Sequence, residues 1–108
     1  MATRGRGARN KGSAAEREVA SILREYYPNA HRGMVFYHEP DIVGGVPGLH
    51  LEVKRQERTD LRSWMNQSTE QAKPGEIPTV VHRRNREQWL ITMNLKDFLI
   101  YINERNNK

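Results

Sequence analysis

The sequence predicts an α/β protein, a mixed five-stranded sheet flanked by helices in the order αβββαββα. Ala15, Val19, Ile22, Leu23 and Tyr26 recur at helical spacing, Leu49 to Arg55 alternates apolar and polar residues, and Gly/Pro pairs separate the runs between them. A chain of 108 residues is long enough for one modest core and too short for a second. Residues 13–108 therefore read as a single domain, preceded by a flexible basic arm at 1–12.

The arm is assigned because residues 1–12 hold three glycines among basic residues and have no apolar period. Ser13 opens the first helix, with Ser13-x-x-Glu16 at capping-box spacing, and Pro28-Asn29 ends it. Met34–His38, Asp41–Val43 and Leu49–Arg55 read as three strands, with Gly44-Gly45 and Pro47-Gly48 turning the chain before the third. Asp60 caps a second helix that reaches about Lys73, its inner stripe being Leu61, Trp64, Met65, Ser68 and Ala72, and Pro74-Gly75 stops it. Pro78 starts a fourth strand through Thr79, Val80 and Val81. After a turn near Asn85, Trp89–Met93 reads as a fifth strand paired with it. Asn94 caps a last helix, apolar at Leu95, Phe98, Leu99 and Ile102.

Charge narrows the class of partner. Lys and Arg number 18 against 13 acids, a formal net charge of +5, with a pI near 9.9, as expected of a protein that binds a polyanion. Arg4, Arg6, Arg9 and Lys11 lie in the acid-free first eleven residues, and His82-Arg83-Arg84 with Arg86 forms a second cluster. These, with Arg32 and Arg55, are the residues expected to meet backbone phosphate. The absence of cysteine excludes disulfides and zinc-thiolate sites, and His31, His38, His50 and His82 include no i, i+4 pair, so zinc is not expected. No apolar run nears the roughly 20 residues that cross a bilayer, and the N-terminus lacks a secretory apolar core. A soluble cytoplasmic protein with no membrane partner is the expectation.

The candidate chemistry lies in Pro40-Asp41 and Glu52-Val53-Lys54. With a period of two, Leu49, Leu51 and Val53 share one face of their strand and Glu52 and Lys54 the other. Mg²⁺ prefers octahedral oxygen ligands and takes one or two carboxylates from a protein, leaving the rest to water and substrate phosphate. Asp41 and Glu52 can supply two. Lys54 is positioned to stabilise charge that grows at an attacked phosphate, and a cross-strand Lys–Glu surface pair is the plain alternative.

Glu16 carries two readings. The capping box explains it without any chemistry, yet its angular position at the edge of the Val19, Ala20 and Leu23 stripe also lets it point toward the sheet edge where Asp41 and Glu52 would sit. His50 shares the Glu52 face and reads as a surface or satisfied histidine. Trp64 and Trp89 read as packing residues, and Gln67 and Gln71 as exposed helix polarity within reach of a phosphate.

Taken together, Pro40-Asp41 and Glu52-Val53-Lys54 resemble the bipartite signature of the PD-(D/E)XK nuclease superfamily. Lys11-Gly12-Ser13-Ala14-Ala15-Glu16-Arg17-Glu18 resembles the N-terminal signature of archaeal-type Holliday junction resolvases and their viral relatives. The likeness covers residues 11–55 by motif and the remainder by order of elements. It implies a restriction-endonuclease-like sheet and a metal-dependent endonuclease acting on branched DNA. It also implies Mg²⁺, with Mn²⁺ as substitute, on Asp41, Glu52 and the Val53 main-chain carbonyl, with Glu16 as a further candidate ligand. Catalytic support would come from Glu16 and Lys54, and the working form would be a homodimer with two sites. The chain departs from the resolvases after Lys54, where no motif matches. A nicking or restriction-like nuclease on duplex or flap DNA, and a basic nucleic-acid-binding module without catalysis, are the alternatives.

Overall fold

The core forms where helix α1 (Ala2–Leu23) crosses strand β3 (Leu49–Arg55) in the computed structural model, which describes residues 2–106. Ala15, Val19 and Ala20 of the helix bury against Leu51 and Val53 of the strand and against Ile42, with Leu23, Leu49, Val81 and Trp89 packed around them. The helical stripe and the strand alternation thus meet face to face, as their periods require. The stripe stops at Leu23, and Ile22 and Tyr26 are exposed.

The remaining elements are β1 (His31–Arg32), a 3-10 turn (Val35–Tyr37), β2 (Ile42–Val43), α2 (Leu61–Gln71), β4 (Ile77–Arg83), β5 (Leu90–Thr92) and α3 (Leu95–Asn106). Strand β3 runs parallel to β4, with Leu51 opposite Thr79 and Glu52 opposite Val80, and β5 returns antiparallel. A parallel pair needs a crossover, which α2 provides. The Asp60 carboxylate caps α2 by accepting from the Ser63 N–H at 3.3 Å. Trp64 and the fully buried Ser68 face the sheet, where the Ser68 hydroxyl accepts from the Thr79 N–H at 3.0 Å.

Three expectations are corrected. Helix α1 begins at Ala2, so Ser13 lies inside it rather than at its N-terminus, and residues 2–12, read as an arm, continue it. The sheet is not five-stranded: β3-β4-β5 form one sheet, and β1-β2 pair only with each other. The run Met34–His38, β-prone by composition, is a 3-10 turn that ends with His38 in the left-handed region, and the strand falls instead on His31–Arg32. The reason β2 does not extend the sheet is local. The Val53 N–H on the free edge of β3 donates to the Asp41 carboxylate at 2.8 Å, so a side chain takes the place that a neighbouring strand's carbonyl would fill.

Helix α3 buries none of its residues, leaving the stripe Leu95, Phe98, Leu99 and Ile102 exposed. It is tethered through Tyr101 and Arg105, both donating to the Pro47 carbonyl, at 2.9 and 3.2 Å. No described helix is long and apolar enough to cross a membrane.

Candidate active site

Asp41 is delivered to β3 by the end of the loop that joins β1 and β2. The Gly33 N–H donates to the Asp41 carbonyl at 2.9 Å, and a Cβ at Gly33 would stand 1.7 Å from the Pro40 carbonyl oxygen, a contact only glycine allows. The adjoining pair, Arg32 opposite Ile42, sets the register that aims the Asp41 side chain at Val53. In an extended strand a residue's N–H and C=O project to the same side, so the Val53 carbonyl faces the same edge as Asp41.

Glu52 reaches the site from the α2 face of β3. It is 3 % exposed, and its Oε2 accepts from Gln67 Nε2 at 3.2 Å. Its Oε1 has no hydrogen-bond partner among the described residues. His50, 4 % exposed, sets Nε2 at 3.6 Å from that oxygen and Nδ1 at 3.7 Å from Glu76 Oε1, both too long for hydrogen bonds. A buried carboxylate oxygen and a buried imidazole nitrogen are thus left unsatisfied side by side. Such groups cost about 1–3 kcal/mol each unless something outside the chain meets them.

Asp41 feels the same crowding. Burial is the largest influence on it and the Glu52 carboxylate the next. The Val53 N–H pulls the other way, Glu16 adds a further push, and the carboxyl is raised to about 8. Asp41, Glu52, Glu39, Glu76, His50 and Gln67 line one cleft of about 430 Å³. Four carboxyl groups against the single ammonium of Lys73 give this cleft of a protein of net charge +5 a surplus of acid, which phosphate would meet more favourably with a cation beside it.

Glu16 is not a cap. At about 100° per residue, Glu16 and Glu18 flank opposite sides of the buried Ala15–Val19 stripe, and each meets a different partner. Glu16 Oε1 accepts from Arg32 Nε at 2.9 Å, while Arg32 Nη2 donates to the Ser13 hydroxyl at 2.9 Å. This holds the Glu16 carboxylate near enough to Asp41 to act on its charge. Glu18 instead accepts from Arg55 at 3.2 Å, from Arg83 Nε and Nη2 at 3.1 Å, and from Trp89 Nε1 at 2.7 Å. Burial pushes the Glu18 carboxyl up, but the hydrogen bonds from Arg83 and Trp89 and the charges of Arg83 and Arg55 outweigh it and hold it below its ordinary value.

The structure therefore divides the expected residues. Asp41, Glu52 and Glu16 come together. Lys54 follows Glu52 on the same strand face, half-buried and opposite His82, beyond the residues that line the cleft. Of the cations expected to meet phosphate, Arg32 is held by Glu16, Arg55 and Arg83 by Glu18, and Arg84 by Glu87 at 2.8 Å. Arg86 is exposed on a turn. The side chains of Arg4, Arg6, Arg9 and Lys11 lie outside the described residues.

His50, Gln67 and Glu76 belong to the site beyond expectation. Gln67 was legible as a member of the Trp64, Gln67, Ser68, Gln71 set that recurs on one helix face, and His50 through its i, i+2 relation to Glu52. Among the described residues no three His, Asp or Glu side chains form a ready-made metal cage. Two carboxylates with one open oxygen nevertheless suit an ion that keeps most of its ligands as water and substrate oxygens. Comparison with protein-family models, with characterised proteins and with solved structures finds no match to this chain.

Proposed function

We propose that the protein is a Mg²⁺-dependent endonuclease of the PD-(D/E)XK type that cuts branched DNA, in the manner of a Holliday junction resolvase. The observation that carries this reading is the crowding of Asp41 and Glu52 in one cleft, with a buried Glu52 oxygen unpaired and the Asp41 carboxyl raised to about 8. Strain of this kind belongs to sites completed by a ligand. Two carboxylates and the Val53 carbonyl on the same edge make a hard-oxygen donor set suited to Mg²⁺ or Mn²⁺. The bound ion would supply Lewis-acid stabilisation of charge at the attacked phosphate.

The chain's own groups have separate tasks. Asp41 and Glu52 hold the cation, Gln67 fixes the Glu52 carboxylate, and Arg32 fixes Glu16 so that it can orient a water beside Asp41. Lys54 offers its ammonium to a phosphate oxygen crossing the strand end. The pairing of Arg32, Arg55, Arg83 and Arg84 with Glu16, Glu18 and Glu87 weighs against a purely basic binding module, because four of the nine cations expected to meet phosphate already have acidic partners within the chain. Junction preference rests on the resemblance of residues 11–18 to the resolvases. A homodimer is part of the same proposal, supported by the exposed apolar side chains of β5 and α3, Leu90, Ile91, Leu95, Phe98 and Leu99.

The test is cleavage of an immobile four-way junction and of its component duplexes in Mg²⁺ and in EDTA. Wild type should cut the junction in Mg²⁺ alone, and Asp41→Asn or Glu52→Gln should lower the rate on the order of a thousandfold. Undiminished cutting by Asp41→Asn sinks the site, and equal rates on junction and duplex sink the resolvase assignment while keeping the nuclease.

A further inference from the structure

The 3-10 turn between β1 and β2 carries the most exposed apolar residues near the cleft. Val35, Phe36 and Tyr37 are 77 %, 83 % and 67 % exposed, in succession, at the tip of a short hairpin. The tip is built rigidly. The N–H groups of Tyr37 and Glu39 both donate to the Met34 carbonyl, at 3.1 and 3.2 Å, and the His38 N–H to the Val35 carbonyl at 2.9 Å. His38 adopts a left-handed conformation, φ 55°, to turn the chain back toward Asp41. The Phe36 and Tyr37 rings stand edge to face, with centroids 5.3 Å apart and planes at 87°, so each fixes the other while both present a face to solvent.

Three large apolar side chains held out by an ordered turn are unfavourable in water unless something covers them. Their position says what. Val35 and His38, on either side of the rings, line the same cleft as Asp41 and Glu52, so whatever sits on the rings also lies across the mouth of the carboxylate site. A second copy of the chain seated here would close that cleft, and the larger unpartnered apolar surface lies elsewhere, on β5 and α3. A nucleic acid strand brings flat apolar bases and phosphates together at the spacing of one nucleotide, and aromatic rings stack on bases of any sequence.

We propose that Phe36 and Tyr37 form a stacking wedge for a base next to the scissile phosphate, so that the site selects DNA whose bases are free to leave the stack. Branch points, flaps and nick edges have such bases; continuous duplex does not. The proposal rests on the nuclease reading of the cleft and assigns its choice of substrate to a named pair of residues.

The experiment places 2-aminopurine at the branch point of a four-way junction and titrates full-length protein with Ca²⁺ in place of Mg²⁺, so that the carboxylates carry a cation while the looser Ca²⁺ ligand shell disfavours cutting. Wild type should change the fluorescence as the base leaves its neighbours. Phe36→Ala and Tyr37→Ala should each lower junction affinity roughly tenfold and reduce that change, Phe36→Trp should keep both, and affinity for linear duplex should move less than twofold. Melting temperatures should hold, since both rings stand in solvent. Unchanged fluorescence and affinity in the alanine variants, an equal loss on duplex, or a shift from dimer to monomer in sedimentation would overturn the wedge. A ring-dependent signal in a protein that never cuts DNA in Mg²⁺ would keep the wedge and overturn the hydrolytic reading instead.

Discussion

Strand β3 carries two polar clusters, one on each face, and they are satisfied to opposite degrees. On the α1 face Arg55 joins Arg83 and Trp89 around Glu18, two cations and an indole donor on one carboxylate. On the α2 face His50 and Glu52 keep unpaired buried atoms, and the Asp41 carboxylate is pressed against them from the strand edge. The first cluster, complete apart from the Arg55 Nε–H, locks α1 to β3 and β4. The second is incomplete among the described residues. A folded protein tolerates such a deficit where a ligand makes it up, which is how a site separates itself from a structural network of similar composition.

The largest expected break in this comparison is in stability. Glu18→Ala leaves two arginines and an indole N–H unmatched and should cost about 2 kcal/mol at pH 7, below the range for fully buried pairs because Glu18 is partly exposed. Asp41→Asn should do the reverse in EDTA at pH 8. The amide still accepts from the Val53 N–H but carries no charge beside Glu52, so the melting temperature should rise by several degrees. Thermal denaturation of the two variants beside wild type decides it; an Asp41→Asn that melts as far below wild type as Glu18→Ala would make both clusters structural.

Much of this division was present in the sequence. The Ala15–Val19 stripe, the Leu49–Arg55 alternation and the Asp60 cap are local patterns, and local patterns survive folding. So does the pairing of Asp41 with Glu52, which needs only a hairpin and one neighbouring strand. What failed was non-local or compositional. The β-prone residues Met34–His38 form a turn because Gly33 must pass under Pro40, a constraint visible only once both are placed. The five-stranded sheet failed because the Asp41 side chain occupies the edge of β3. The α1 start at Ala2 has no signature in the glycine-rich sequence before Ser13. The role of Glu18 has no local signature, because its partners Arg55 and Arg83 lie 37 and 65 residues away.

Next in size is a difference in pH window. Asp41 has a folded pKa of about 8 above an ordinary value of 3.8, so its contribution to stability is full below pH 4 and is lost as pH rises through 8. Glu18, held below its ordinary 4.5, contributes above that value and loses its contribution as pH falls. Without added metal the protein should therefore weaken in both directions, by acid below about 4.5 through Glu18 and progressively from about pH 4 to 8 through Asp41. Asp41→Asn should flatten the upper arm alone. Excess Mg²⁺ should restore stability on that arm, increasingly toward pH 8, because the cation displaces a proton from Asp41. Melting curves from pH 4 to 9 with and without Mg²⁺ test it, and an upper arm unchanged in Asp41→Asn would remove Asp41 as its source.

The smallest effect should come from Gln67, and it sharpens the comparison most. Its amide is the one side chain that donates a hydrogen bond to Glu52 among the described residues, from a position where it touches the cleft without being a carboxylate. Residues that orient a metal-holding carboxylate are worth roughly 10–100-fold in metal affinity. In Gln67→Leu both Glu52 oxygens lose their fixed direction, so the Mg²⁺ concentration for half-maximal cleavage should rise about tenfold while kcat returns at saturating Mg²⁺. Loss of kcat with no change in Mg²⁺ dependence would place Gln67 against the DNA instead. The same titration on Glu18→Ala should leave the Mg²⁺ requirement of the folded fraction unmoved, because its cluster lies on the other face of β3. A shift there equal to that of Gln67→Leu would mean that the two faces of the strand act as one unit, and the distinction between the satisfied and the unsatisfied cluster would lose its functional meaning.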